Sequence, residues 1–111
     1  LHPQEPIYAF MLGLFYLKRG DTEAALEQFC QAEKPFNSTY RHALIRLWQG
    51  RCHDILGHRS RAEELYRRVL ETAPQESSPA LGAGKALEKP YRYSAVKHVV
   101  IEFLMGDAQE I

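Results

Sequence analysis

The 111-residue sequence contains few of the features that define specialised classes of protein. Its two cysteines, Cys30 and Cys52, are too few for the disulfide framework of a small secreted scaffold. Basic and acidic side chains each number 14, so there is no net positive charge of the kind that a general nucleic-acid or membrane-surface binder carries. No apolar run reaches membrane-spanning length, and no signal-peptide pattern opens the sequence. These features predict a globular domain in a reducing compartment, the cytoplasm, with no membrane partner.

Residue patterns that carry catalytic or ligand chemistry are also scarce. Cys52 and His53 lie near His58 in the sequence, but a zinc site of the usual spacing needs a second paired cluster of ligands. The glycines near Lys85 have neither the spacing of a phosphate-binding loop nor a preceding strand. No serine or cysteine occurs in a nucleophile pattern. We therefore expect no enzymatic activity, no cofactor and no metal ion.

Helical periodicity, interrupted by glycine and proline, dominates what the sequence does contain. It predicts an all-α fold of five or six helices. The first three predicted helices cover residues 7–18, 22–34 and 40–56, and Asp21 is expected to cap the second.

Two later helices are predicted from their N-terminal caps. Ser60 and Glu63 form a capping-box pattern for a fourth helix that continues to residue 73. Ser78 before Pro79 is expected to cap a fifth helix that ends near residue 88. Residues 94–105 are rich in β-branched side chains, which suit a strand, but without a partner strand we predict a helix there.

The sequence repeats itself at a spacing of 37 residues. The paired positions are Phe10 and Leu47, Met11 and Trp48, Gly13 and Gly50, Gly20 and Gly57, Ala25 and Ala62, Glu27 and Glu64, Phe29 and Tyr66, Ala32 and Val69. The first glycine of each unit is expected to allow close approach of the paired helix, and the second to allow a left-handed turn. The aromatic residue is expected to fill the space between successive helix pairs.

This pattern resembles the tetratricopeptide repeat, a helix–turn–helix family with a period of 34 residues. The resemblance implies antiparallel helix pairs stacked as a right-handed solenoid. One unit would cover residues 6–37 and a second residues 40–74, and residues 77–105 would form a partial third unit or capping helices. Pro3 lies where the closing proline of a preceding unit would fall, so we expect this single domain to be a piece of a longer chain.

The first helix is apolar on nearly every side, which exceeds the stripe of roughly 100° that one core needs. A preceding repeat could cover it, or one of its faces could dock a peptide or a second copy of the chain. In tetratricopeptide repeats the first helix of each pair lines a groove. By matching positions, this resemblance implies partner binding by Ile7, Phe10, Leu14, Leu17, Leu44, Leu47 and Arg51.

These observations favour a non-enzymatic scaffold that binds an unidentified protein or peptide through an apolar groove. A family subset that captures C-terminal carboxylates uses lysine and asparagine at positions that Phe10 and Leu14 occupy here, so that activity is not implied. One alternative is an accessory or dimerisation domain of a larger enzyme. The other is an RNA- or anion-binding module that uses Arg61, Arg67 and Arg68, which the neutral total charge argues against.

Overall fold

A computed structural model describes residues 6–33 and 39–92, and within them the chain forms five α-helices and no strand. The helices are α1 (Pro6–Lys18), α2 (Thr22–Glu33), α3 (Thr39–Ile55), α4 (Arg59–Thr72) and α5 (Ser78–Glu88). The predicted all-α fold is confirmed, and the predicted helix over residues 94–105 lies outside the described residues.

The helices stack in chain order as a helical-repeat solenoid. Helices α1 and α2 form one antiparallel pair, α3 and α4 form the next, and α2 packs against α3 to join the two pairs. Helix α5 contacts both α4 and α3. Buried side chains from all five helices form one continuous apolar core, so each helix is held mainly by tertiary packing.

Glycines in the left-handed conformation reverse the chain within each pair. Gly20 has φ of 85° and Gly57 has φ of 84°, a region in which other residues are strained. The amide that follows each glycine donates to a carbonyl in the preceding helix turn, from Asp21 to Tyr16 at 2.9 Å and from His58 to His53 at 2.7 Å. The predicted turns are therefore confirmed in both units.

The interior glycines of α1 and α3 allow close packing inside each pair, as predicted. A Cβ atom on Gly13 would lie 2.5 Å from the ring of Phe29, and one on Gly50 would lie 2.6 Å from the ring of Tyr66. The Phe29 ring also lies between the rings of Phe10 and Trp48, at centroid distances of 5.6 and 6.2 Å. This aromatic residue therefore joins α1, α2 and α3.

One of the three predicted helix caps is confirmed and two are wrong by one or two residues. Asp21 accepts a hydrogen bond from the amide of Ala24 through its side chain. Helix α4 begins at Arg59 with His58 as its N-cap, so the predicted Ser60 capping box does not form, because the helix starts directly after the Gly57 turn. Ser77, rather than Ser78, caps α5 and accepts from the amide of Ala80.

Candidate interaction surfaces

Most of the side chains predicted to bind a partner lie in the apolar core. Ile7 and Arg51 are half-buried, and the other five are buried, namely Phe10, Leu14, Leu17, Leu44 and Leu47. In the described arrangement these five side chains hold the helices together. Their role in a binding groove stays a prediction.

The exposed apolar side chains of α1 lie on a different face of the helix from the predicted binding residues. Met11 and Leu12 are each 44% exposed, and Phe15 is 52% exposed. Half-buried Tyr8 lies one turn before Leu12, and the guanidinium of Arg19 lies 5.5 Å from the centroid of the Phe15 ring. We call Met11, Leu12 and Phe15 the α1 face.

The corresponding face of α3 is covered by α2. At a spacing of 37 residues, the α1 face corresponds to Trp48, Gln49 and Cys52, all of which are buried. The Gln49 amide donates to Glu33 at 3.0 Å and to the carbonyl of Phe29 at 3.4 Å. The repeat therefore shows, inside one chain, what covers this face when a neighbouring helix is present.

Glu33 joins α2 to α3 through polar contacts at the edge of that covered face. Its carboxylate accepts from Gln49 and from Arg46, whose Nε lies 3.0 Å away. Burial alone would raise the pKa of Glu33, but hydrogen bonds from Gln49 and Arg46 outweigh it and lower the pKa below its usual value. The ionised form is therefore the one that stabilises the fold.

The pH dependence of stability should show this contribution of Glu33. Because its pKa is lowered on folding, its contribution is fully present above the unfolded-state pKa, about 4.3, and is lost as the pH falls through the folded value. We expect urea denaturation to show a steeper loss of stability below about pH 5 in the wild type than in Glu33→Gln. Glu23→Gln, which changes an exposed carboxylate on the same helix, is the control and should follow the wild-type curve. Parallel wild-type and Glu33→Gln curves would contradict this role.

Arg51 is held between aromatic rings at the other end of the stack. Its Cζ atom lies 4.6 Å from the ring centroids of both Trp48 and Tyr91. A pocket of about 430 Å³ opens beside it, between α3 and the C-terminal end of α5. Of the predicted binding residues, Arg51 is the one that this pocket includes.

Asp54 connects three parts of the chain around Arg51. Its carboxylate accepts two hydrogen bonds from Arg59, at 3.0 and 2.9 Å, one from the Tyr66 hydroxyl at 2.7 Å, and one from the backbone amide of Tyr91 at 3.0 Å. Burial and the bond to Asp54 raise the pKa of Tyr66, which keeps it a donor. Asp54 thus fixes the backbone of Tyr91, whose ring contacts Arg51.

The described residues contain no cluster of three or more side chains suited to holding a metal ion. His53 and His58 approach each other, with 3.3 Å between their Nδ1 atoms, and the predicted neighbour Cys52 is buried. Burial raises the pKa of the Cys52 thiol to about 12, which disfavours the thiolate that a metal would need. Cys30 is exposed on α2.

The stacked, antiparallel helix pairs define the class of the chain as a helical-repeat protein. The family model for the tetratricopeptide repeat matches residues 1–40 and 10–77, which together span more than half of the sequence. The chain therefore belongs to the tetratricopeptide repeat family, whose domains are generally protein–protein interaction modules without catalytic activity. Comparison with curated proteins and with solved structures gives no significant match. Among the described residues, no helix combines the length and apolar character needed to cross a membrane.

Proposed function

We propose that the chain is an interaction module whose α1 face binds an amphipathic helix of a partner protein. The observation that carries this proposal is the contrast between two equivalent faces. Trp48, Gln49 and Cys52 are buried where α3 packs against α2, with Tyr91 also against Trp48, while the three residues of the α1 face are exposed. Burying such side chains stabilises a complex by roughly 25 cal/mol per Å² of apolar surface, before the costs of association.

The chemistry of the bound helix follows from the chemistry of the face. Where Gln49 donates to Glu33, the α1 face has Leu12, which offers no hydrogen bond. A helix that resembles α2 but carries an apolar side chain at the position of Glu33 would therefore fit best. Such a helix would also present an aromatic ring, as α2 does with Phe29, whose ring centroid lies 6.2 Å from that of Trp48.

The described part of a second copy does not offer such a helix. Helix α2 is already packed between α1 and α3, and its counterpart α4 is packed between α3 and α5. This arrangement favours a partner of different sequence over a homodimer. Self-association of the chain through the α1 face would therefore contradict the proposal.

A synthetic α2 peptide provides the probe for this face. It would carry residues 21–34 with Cys30→Ser and Glu33→Leu, a fluorescent label and capped ends. In anisotropy titrations, we expect the wild-type chain to bind it about tenfold or more tightly than the Leu12→Gln/Phe15→Ser variant, because both side chains would be buried in the complex. The same peptide with Glu33 restored should bind more weakly to the wild type.

The matched control changes an exposed leucine elsewhere. Leu81 on α5 is also largely exposed, and Leu81→Gln should leave peptide affinity unchanged. Equal affinity of the wild type and the Leu12→Gln/Phe15→Ser variant would overturn the proposal. A wild-type dimer in light scattering that becomes monomeric in this variant would assign the face to a second copy instead.

A further inference from the structure

Two histidine side chains meet at the turn between α3 and α4. His53 lies in the last turn of α3, and His58 is the N-cap of α4. Their Nδ1 atoms lie 3.3 Å apart, and their ring centroids lie 5.5 Å apart. The contact is exposed, so an ion in solution can reach both nitrogens.

The backbone of the turn holds the two histidines in this position. The amide of His58 donates to the carbonyl of His53 at 2.7 Å, and Gly57, between them, has φ of 84°. The first unit makes the same turn with Tyr16 and Asp21 at the matching positions. The repeat therefore does not need histidine at either place, and the pair is particular to the second unit.

The distance between the two nitrogens matches the geometry of a tetrahedral metal site. Zinc binds an imidazole nitrogen at about 2.0–2.1 Å. An ion at that distance from two atoms 3.3 Å apart makes an N–metal–N angle of about 107°, close to the tetrahedral value. When the two nitrogens form a hydrogen bond, one carries the proton that the other accepts, and a metal ion would take the place of that proton.

The surroundings of the pair favour neutral imidazole ligands. Burial and the positive charge of Arg61 lower the pKa of His53, and the neutral ring is the form that binds a metal. The charge of Arg61 also opposes a metal ion, but this side chain is exposed and pairs with Glu64 at 3.1 Å. The thiol of Cys52 is buried, so water rather than sulfur would fill a further ligand position.

We propose that His53 and His58 bind a divalent transition-metal ion such as Zn²⁺ through their two Nδ1 atoms, with water in the remaining positions. Imidazole nitrogen suits zinc, nickel and copper, whereas Mg²⁺ and Ca²⁺ prefer oxygen ligands. The ligand spacing in the sequence argues against a site with four protein ligands, and the proposed site has two. The ion would join the end of α3 to the start of α4. This proposal is independent of helix binding at the α1 face.

Isothermal titration calorimetry with ZnCl₂ tests this site in the 111-residue chain. Every variant carries Cys30→Ser, because an exposed thiol is itself a zinc ligand. We expect one tight site per chain. His53→Gln alone and His58→Gln alone should each weaken binding about tenfold or more, since even the loss of an outer-shell contact weakens metal binding about tenfold.

His42→Gln is the matched control. His42 also lies on α3, but eleven residues before His53 and about 16 Å away along the helix, so it cannot share the same ion. This variant should bind zinc as the parent chain does. Arg61→Gln should bind zinc more tightly, because it removes a charge that opposes the ion. MgCl₂ should give no binding.

Nitrogen-15 NMR of the histidine rings in the parent chain keeps the test decisive if a variant fails to fold, as judged by circular dichroism. Zinc should shift the Nδ1 resonances of His53 and His58 together, at one ion per chain. A shift at only one of the two rings, or at neither, would overturn the proposal. Unchanged zinc affinity in both His53→Gln and His58→Gln would overturn it too, and so would an equal loss in His42→Gln.

Discussion

Gly50→Ala is expected to destabilise the fold by about 2 kcal/mol, although alanine is the better helix former. The added Cβ would lie 2.6 Å from a ring atom of Tyr66. That ring cannot move aside easily, because it is buried and its hydroxyl donates to Asp54. Either the Tyr66 ring moves and its hydrogen bond breaks, or α3 and α4 move apart. Each response destabilises the fold by more than the higher helix propensity of alanine stabilises it. Urea denaturation measures the difference.

Gly84→Ala is the matched control for this prediction. Gly84 lies inside α5, 34 residues after Gly50, and a Cβ there would meet no atom within 4 Å. We expect this variant to gain about 0.5–1 kcal/mol from helix propensity alone. In the background of Tyr66→Leu, which removes the ring, Gly50→Ala should cost much less. A loss of stability in Gly50→Ala together with a gain in Gly84→Ala would show that the loss comes from packing. Unchanged stability in Gly50→Ala would instead show that α3 and α4 can separate at little cost.

The repeat could be predicted from the sequence because its determinants are local and occur twice. The turns at Gly20 and Gly57 require a positive φ, which few residues other than glycine adopt without strain. The close approach expected at Gly13 is also observed, although the ring that occupies the space is that of Phe29, which was expected between successive helix pairs. Two copies of this arrangement at one spacing determine the order of the helices.

The exposed face of α1 could not be predicted from periodicity. When a helix is apolar on nearly every side, its pattern of apolar residues does not indicate which side packs against the core. The resemblance assigned binding to Phe10 and Leu14, yet their side chains are buried, while Met11 and Phe15 are exposed. The 37-residue repeat does contain one indication of the exposed side, at the α3 position that corresponds to Leu12. Gln49, at the position of Leu12, is polar because it faces a carboxylate on a covering helix.

The importance of Asp54 was also absent from the local pattern. It precedes a helix end, where a charged residue is unremarkable, and its contacts lie 5, 12 and 37 residues further along the chain. Only the folded chain brings Arg59, Tyr66 and Tyr91 to one carboxylate. Long-range polar contacts of this kind have no periodic signature.

Asp54→Ala is expected to reduce the free energy of unfolding by about 2–4 kcal/mol. Its side chain is 1% exposed and accepts from three residues, so its removal leaves a guanidinium, a hydroxyl and a backbone amide without their acceptor. Arg59 is partly exposed, so water can replace part of its contact with Asp54. The loss in unfolding free energy is therefore expected at the lower end of the range for breaking a fully buried ion pair. Urea denaturation would measure the loss, and hydrogen exchange at the Tyr91 amide would report whether the local bond is gone.

Glu64→Gln is the control for charge alone, because Glu64 pairs with Arg61 and Arg68 on the exposed surface and should contribute less than about 0.5 kcal/mol. Tyr66→Phe should cost about 1 kcal/mol in the wild type and clearly less in the Asp54→Ala background, since the hydroxyl then has no carboxylate to lose. Additive losses would contradict a shared network. A loss confined to Asp54→Ala and Tyr66→Phe, together with faster exchange of the Tyr91 amide in Asp54→Ala, would show that this carboxylate joins α3 to α4 and to the residues that follow α5.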